Sequence, residues 1–134
     1  MAASGARNQS PGMRAGVRVL LVDDDLEQLA ALSILLRDRG LTVETARSGT
    51  DALAQIAQSA PDVLVVDAAM PDINGLEVIR RAHLMHPGLP AILLTGYGRQ
   101  AIDDALAAVR AAYLAKPVDL GALFDVLARA VDVR

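Results

Sequence analysis

The feature that most constrains the fold is a repeated alternation between short apolar runs and segments with helical spacing. Residues 17–22, 63–66 and 91–94 are runs of Val, Leu, Ile and Ala with almost no polar residue among them. A strand has this composition when helices cover both faces of its sheet, because neither set of alternating side chains meets water. The runs therefore predict buried strands of a mainly parallel sheet.

The segments around these runs complete an alternation of predicted strands and helices along the chain. Residues 41–45 alternate apolar and polar side chains, as an edge strand does, and residues 112–114 predict a short last strand. Apolar residues three or four positions apart predict helices over residues 29–36, 53–57, 76–82, 102–109 and 120–131. Parallel strands need crossover connections, usually helices, and these crossovers are right-handed. The sequence therefore predicts an α/β domain of three layers with about five strands, and a ligand site beyond the carboxyl ends of those strands.

The first sixteen residues differ from the rest of the chain. Residues 1–16 are rich in Ala, Ser, Gly and Arg, contain no acid and show no periodicity. They predict a flexible tail ahead of a single domain over residues 17–134. An organellar transit segment is the alternative, but such segments have an amphipathic apolar face that this one lacks. Met13 stands just before the folded region and is an alternative start of the protein.

Composition excludes several classes of function. A chain of 134 residues with 53% apolar residues has the size and the core of one globular domain. Its net charge of −3 and the lack of a basic stripe argue against nucleic-acid binding. No apolar run approaches the roughly 20 residues that span a membrane. The chain has no Cys, which fits a reducing compartment, and we expect a cytoplasmic protein.

Acidic residues follow two of the predicted buried strands. Asp23, Asp24 and Asp25 come directly after the first strand, and Asp67 ends the run at residues 63–66. Carboxylates gathered at one edge of a sheet repel one another, and a divalent cation such as Mg²⁺ neutralises them with the oxygen ligands it prefers. The alternative is that Asp24 or Asp25 only caps the helix that follows.

The other strand ends carry groups suited to phosphate chemistry. Thr95 ends the fourth strand and Lys116 follows the fifth, where Lys116 is the only lysine of the chain. Carboxylates act as nucleophiles toward phosphoryl groups, and such transfers need positioning and neutralisation of charge. Asp67 is the candidate nucleophile, with an ammonium supplied by Lys116 and a hydroxyl by Thr95. Alternatively, Lys116 is an ordinary surface lysine and Thr95 an ordinary strand residue.

Together these residues resemble the receiver domain of two-component response regulators. The matching stretches come in the family's order: LLVDDD at residues 20–25, PDVLVVD at 61–67, MPDINGLEVI at 70–79, ILLTGYG at 92–98 and YLAKP at 113–117. The resemblance covers residue 17 to the C-terminus. It implies a flavodoxin-like fold, a doubly wound five-stranded parallel sheet in the strand order 2-1-3-4-5 with helices on both faces.

The resemblance also implies a role for each site residue. Asp67 matches the phosphoacceptor, and Asp23 and Asp24 match the acidic pair that holds Mg²⁺, for which Mn²⁺ can substitute. Ala69 supplies a metal ligand through its backbone carbonyl, although relatives often carry a larger polar side chain there. Lys116 matches the lysine that contacts the phosphoryl group.

A second set of residues matches the family's conformational switch. Thr95 corresponds to the switch hydroxyl and Tyr113 to the aromatic residue that moves with it. The peptide bond between Lys116 and Pro117 is often cis in the family.

The sequence departs from the family at Ala111 and Ala112, where a glycine is common, and the interval from Thr95 to Lys116 is about one residue short. His83 and His86 are interpreted as structural.

The resemblance implies a signalling switch that is not an enzyme acting on a separate substrate. The phosphoryl donor is expected to be a histidine kinase or a histidine phosphotransfer protein, and the output a protein contact through residues 99–131. Three alternatives stay open: a docking module that works without phosphorylation, a small phosphohydrolase with an aspartyl nucleophile, and a fragment of a larger regulator or hybrid kinase.

Overall fold

A computed structural model of the chain describes residues 16–96 and 109–132. Strands and helices alternate through most of this part of the chain, as the apolar runs predict. In order they are β1 (Arg18–Val22), α1 (Leu26–Asp38), β2 (Thr42–Ala46), α2 (Gly49–Gln58), β3 (Val63–Asp67), α3 (Gly75–Met85), β4 (Ala91–Thr95), β5 (Ala112–Ala115) and α4 (Leu120–Asp132). The helix predicted over residues 102–109 lies almost entirely outside the described residues, as does most of the predicted tail.

The strands form one five-stranded sheet in the order β2-β1-β3-β4-β5. All four neighbouring pairs are parallel. This confirms the predicted doubly wound, flavodoxin-like architecture. The observed strand bounds differ from the predicted ones by one residue at most, because the apolar runs coincide with the residues that the sheet buries.

Alternate side chains of the central strands enter two separate cores. Val19, Leu21 and Val65 point to one face of the sheet, where they pack with residues of α1 and α4. Leu20 and Val66 point to the other face, where they pack with residues of α2 and α3. Since both faces are covered, every residue of β3 and β4 is buried. The uninterrupted apolar runs follow from this arrangement.

Local capping sets where the helices begin. Asp25 accepts hydrogen bonds from the backbone N–H groups of Glu27 and Gln28, so it is the N-cap of α1. Ser48 caps α2 and Asn74 caps α3 in the same way. Capping of the helix therefore accounts for Asp25, and Asp23 and Asp24 remain as the candidate metal ligands at the edge of the sheet. In the part of the chain that the structure describes, no helix is long and apolar enough to cross a bilayer.

Candidate functional site

The predicted site residues meet at the carboxyl edge of the sheet. Asp67 is the last residue of β3 and Thr95 the last of β4, while Asp23 follows β1 and Lys116 follows β5. The register pairs Asp67 with Leu94 and Thr95 with Ala115. Because all the strands run in the same direction, their polar ends lie side by side at this edge.

Three carboxylates form a compact cluster at this edge. Oxygen atoms of Asp23, Asp24 and Asp67 all lie within 4.8 Å of one another. Asp23 and Asp67 are each only 6% exposed, whereas Asp24 is exposed. An all-oxygen donor set with an open side suits a hard divalent cation that keeps part of its water shell.

Burial and charge disfavour ionisation of Asp23. Its burial raises the pKa of the carboxyl group, and the neighbouring charge of Asp67 raises it further. The backbone N–H of Asp25, which donates a hydrogen bond of 2.9 Å to Asp23 Oδ1, acts in the opposite direction. A cation bound among the three carboxylates would remove this repulsion, so the acids fit the metal that the sequence predicts.

Lys116 supplies a positive charge on the other side of Asp67. Its Nζ lies 2.6 Å from Asp67 Oδ1, and its side chain is 26% exposed while that of Asp67 is 8% exposed. The backbone N–H of Lys116 donates to the carbonyl oxygen of Thr95 at 2.8 Å. The Lys116–Pro117 peptide bond is cis, as the resemblance implies. Nζ also lies 3.5 Å from Oε1 of Gln28 on α1, a neighbour that the sequence pattern did not indicate.

Thr95 and Tyr113 occupy the same face of the sheet. Thr95 is 1% exposed, and Tyr113 is half-buried against the core cluster that contains Leu93. Tyr113 pairs with Leu93 in the β4–β5 register, and Thr95 lies two residues beyond Leu93 on the same strand. Residues two apart on a strand share a face, so the hydroxyl and the aromatic ring are diagonal neighbours.

The loop after Asp67 is tied to the rest of the domain at two points. Gly75 packs against β3 so closely that an added Cβ would lie 2.4 Å from the backbone oxygen of Asp67. Asp72 accepts hydrogen bonds from the backbone N–H groups of Gly49 and Thr50 at 3.2 and 3.0 Å, and from Thr50 Oγ1 at 2.9 Å. No pattern in the sequence indicates this link, because its partners lie more than twenty residues apart. Ala69 is exposed within the same loop.

The two histidines lie at the opposite edge of the sheet. His83 Nε2 is 2.8 Å from the carbonyl oxygen of Leu89, which ties the end of α3 to the segment before β4. This contact agrees with the structural role expected for His83.

The chain resembles the proteins of one known family in both sequence and fold. Residues 19–128 match the family described as the response regulator receiver domain, and the chain belongs to this family. Response regulator MprA of Mycobacterium ulcerans is 40% identical over 116 residues, which cover 84% of this chain and 48% of MprA. The chain spans less than half of the length of MprA and of the transcriptional regulatory proteins that it also matches.

Solved structures show the same fold. Chemotaxis protein CheY4 of Vibrio cholerae has a TM-score of 0.81 and 31% identity, over 87% of this chain and 99% of that chain. Response regulator protein TrrA of Thermotoga maritima, solved in complex with Mg²⁺-BeF, has a TM-score of 0.76 and 28% identity, over 84% of this chain and 97% of that chain. The predicted receiver domain of two-component signalling is thereby confirmed, and receiver domains are signalling switches that bind Mg²⁺ at an acidic cluster.

Proposed function

We propose that this domain, over residues 17–134, accepts a phosphoryl group on Asp67 in a reaction that requires Mg²⁺ or Mn²⁺. The observation that carries the proposal is that the Asp67 carboxylate lies between a cluster of acids and a lysine ammonium. Asp67 belongs to a cluster of three acids whose oxygens lie within 4.8 Å, and one of its oxygens contacts Lys116 Nζ at 2.6 Å. A phosphoryl group on Asp67 would lie between a metal and an ammonium.

The proposed donor is the phosphohistidine of a histidine kinase or of a histidine phosphotransfer protein. A carboxylate oxygen of Asp67 attacks phosphorus, the P–N bond breaks, and the imidazole leaves with the electron pair and takes up a proton. Asp23, Asp24, Asp67 and the backbone carbonyl of Ala69 would hold the metal, which neutralises charge on the equatorial phosphoryl oxygens when bound. Lys116 would move from the free carboxylate to the phosphoryl oxygens and stabilise the product anion.

The surface beside the site suits a protein donor. Helix α1 begins next to the three acids and exposes large apolar side chains, with Leu26 53% and Ile34 64% exposed. A partner that covers the exposed apolar side chains of α1 would bury apolar area while it presents its phosphohistidine to Asp67. Histidine kinases draw on cytoplasmic ATP, and we therefore propose a cytoplasmic location.

The change in the protein-binding surface after phosphorylation would involve Thr95 on β4 and Tyr113 on β5. A phosphoryl group on Asp67 accepts a hydrogen bond from the Thr95 hydroxyl, and the turn of Thr95 leaves space for the Tyr113 ring on the same face of the sheet. This shifts the population of two packings of the surface formed by residues 99–131, part of which lies outside the described residues. We assign no turnover of a separate substrate, because the domain itself carries the group until it is hydrolysed.

Chemical trapping tests the proposal at the level of one residue. The protein is incubated with acetyl phosphate and Mg²⁺, reduced with borohydride, digested and sequenced by tandem mass spectrometry. Reduction converts an aspartyl phosphate into homoserine, and we expect homoserine at position 67 alone. Homoserine at Asp23 or Asp24 instead, with position 67 intact, would contradict the assignment.

A further inference from the structure

A wide cavity lies at the amino edge of the sheet, opposite Asp67. It is an open groove with a volume of about 1020 Å³, bordered by the segments that lead into β3, β4 and β5 and by the end of α4. These segments are residues 60–61, 86–90 and 110–112, with Val126 and Arg129 on α4. We call it the basal groove. The mechanism proposed for Asp67 does not use it.

The basal groove is cationic in an acidic protein. The chain has a net charge of −3, yet Arg110 and Arg129 line the groove together with His83 and His86, and no acid among the described residues lines it. Both arginines are exposed. A guanidinium offers five donors in a planar fork that matches a carboxylate.

Both guanidinium groups of the groove are available to a ligand. Neither Arg110 nor Arg129 has a hydrogen-bond or ion-pair partner within residues 16–96 and 109–132, whereas Arg18 pairs with Glu44 and Arg80 with Glu77. A ligand with carboxylates would therefore gain new pairs without breaking any that exist.

The rest of the lining is apolar and stiff. Pro61, Pro87 and Pro90 form part of the wall, and Met85 is 39% exposed beside them. Val126 and small alanines from α4 and the β5 entry complete it. Apolar walls with cationic groups at the rim favour a ligand that carries both apolar groups and negative charge.

We infer that the basal groove binds an acidic peptide segment of a partner protein, with apolar side chains against the prolines and carboxylates on Arg110 and Arg129. Two arginines on separate elements suit carboxylates spaced along a peptide. They are too few to track a nucleic-acid backbone. Because the groove lies at the edge of the sheet opposite Asp67, the peptide does not need a phosphoryl group on Asp67 in order to bind. Arg110 and Arg129 belong to the surface formed by residues 99–131, so the groove would hold a partner on that surface before the switch of the proposed function occurs.

Fluorescence anisotropy with a labelled peptide tests the inference on the full chain. The probe is a dodecapeptide with four Glu, three Leu and otherwise Gly and Ser; its controls replace Glu by Gln or by Lys. We expect the acidic peptide alone to bind, and chemical-shift changes on titration to cluster at residues 86–90, 110–112 and 126–130. Equal binding of the Gln peptide, or no binding of the acidic peptide at millimolar concentration, would overturn the inference.

Charge-reversal variants assign the binding to the two arginines. Arg110→Glu and Arg129→Glu should each weaken binding about fivefold, the upper end of the effect of losing one exposed ion pair. Arg47→Glu reverses an exposed charge between β2 and α2, at the carboxyl edge of the sheet, and should leave binding unchanged. If it weakens binding as much, the attraction is general and the groove is not the site. Asp67→Asn should bind the peptide like the wild type, so failure of the phosphoryl chemistry and failure of the groove give different results.

Discussion

Replacement of Gly75 by alanine has two opposite effects on the stability of the domain. It restricts the unfolded chain, which stabilises the fold, and it places a Cβ in a space that is already filled. Gly75 is the first residue of α3, and an alanine there would reduce the freedom of the unfolded chain, a gain of about 0.4–1 kcal/mol. The added Cβ would lie 2.4 Å from the backbone oxygen of Asp67, 2.8 Å from Leu93 Cδ1 and 3.0 Å from Ala68 Cα. Overpacking of a core costs about 1–3 kcal/mol, and two of these three neighbours are backbone atoms that cannot rotate away.

We therefore expect Gly75→Ala to destabilise the domain by about 1–2 kcal/mol, since the clash outweighs the gain. Urea denaturation measures this as a lower midpoint with an unchanged slope. Because the displaced oxygen belongs to Asp67 itself, phosphorylation by acetyl phosphate should slow as well, even where the protein is fully folded.

Gly121→Ala is the matched control for this prediction. Gly121 lies near the start of α4, and the nearest atom to its added Cβ is Asp119 Oδ1 at 3.3 Å. This oxygen accepts a hydrogen bond from the Ala122 N–H at 3.2 Å, and it needs to move by only a few tenths of an ångström. We expect no loss of stability there and a gain of up to about 0.5 kcal/mol. If Gly75→Ala stabilised the domain as Gly121→Ala does, the close packing of α3 against β3 would be refuted.

The remaining predictions concern the charges around the site. Asp23→Asn should raise the stability of the metal-free protein at pH 7 and lower its affinity for Mg²⁺. Burial raises the pKa of Asp23, so the ionised carboxylate destabilises the folded protein at pH 7, and this loss is recovered only as the pH falls through the raised pKa. A variant less stable than the wild type in EDTA would contradict this. Lys116→Ala should destabilise the metal-free protein by about 1–3 kcal/mol, since it leaves Asp67 among like charges, and Mg²⁺ should restore much of the loss; a variant equally stable with and without Mg²⁺ would argue against the pair. Asp72→Ala should lower stability by about 1–2 kcal/mol and also weaken Mg²⁺ binding, because it frees the loop after Asp67. Ser48→Ala removes another cap of the same helix, so an equal loss of Mg²⁺ affinity there would show that Asp72 acts only through helix stability. Hydrogen bonds from the α2 backbone hold the pKa of Asp72 well below its usual range, so its contribution is present above about pH 4 and is lost as the pH falls below that.

Much of the fold follows from the sequence because burial on both faces leaves a visible pattern. The runs that became β1, β3 and β4 contain almost no polar residue, and a parallel arrangement is the one that covers both faces with helices. Once the strands are parallel, Asp23, Asp67 and Lys116 must lie at one edge. The convergence of the candidate site was therefore predictable from the order of residues at the strand ends.

Contacts between distant segments were not predictable in this way. Gln28 approaches Lys116 across 88 residues of sequence, and Asp72 reaches the start of α2 across 22. Neither pair leaves a periodic signal, since each depends on the packing of whole helices against the sheet. That Arg110 and Arg129 find no partner among the described residues is likewise a property of the folded surface. The sequence does not distinguish Asp24 from Asp25 as the cap of α1, and the hydrogen bonds that Asp25 accepts identify Asp25.

Intact mass spectrometry after incubation with acetyl phosphate tests the central claim most directly. The measurement compares wild type and Asp67→Asn, each with Mg²⁺ and with EDTA. We predict one added phosphoryl group on the wild type with Mg²⁺, and none on the wild type with EDTA or on the variant under either condition. A phosphoryl adduct on Asp67→Asn, or one that forms equally well in EDTA, would contradict the account.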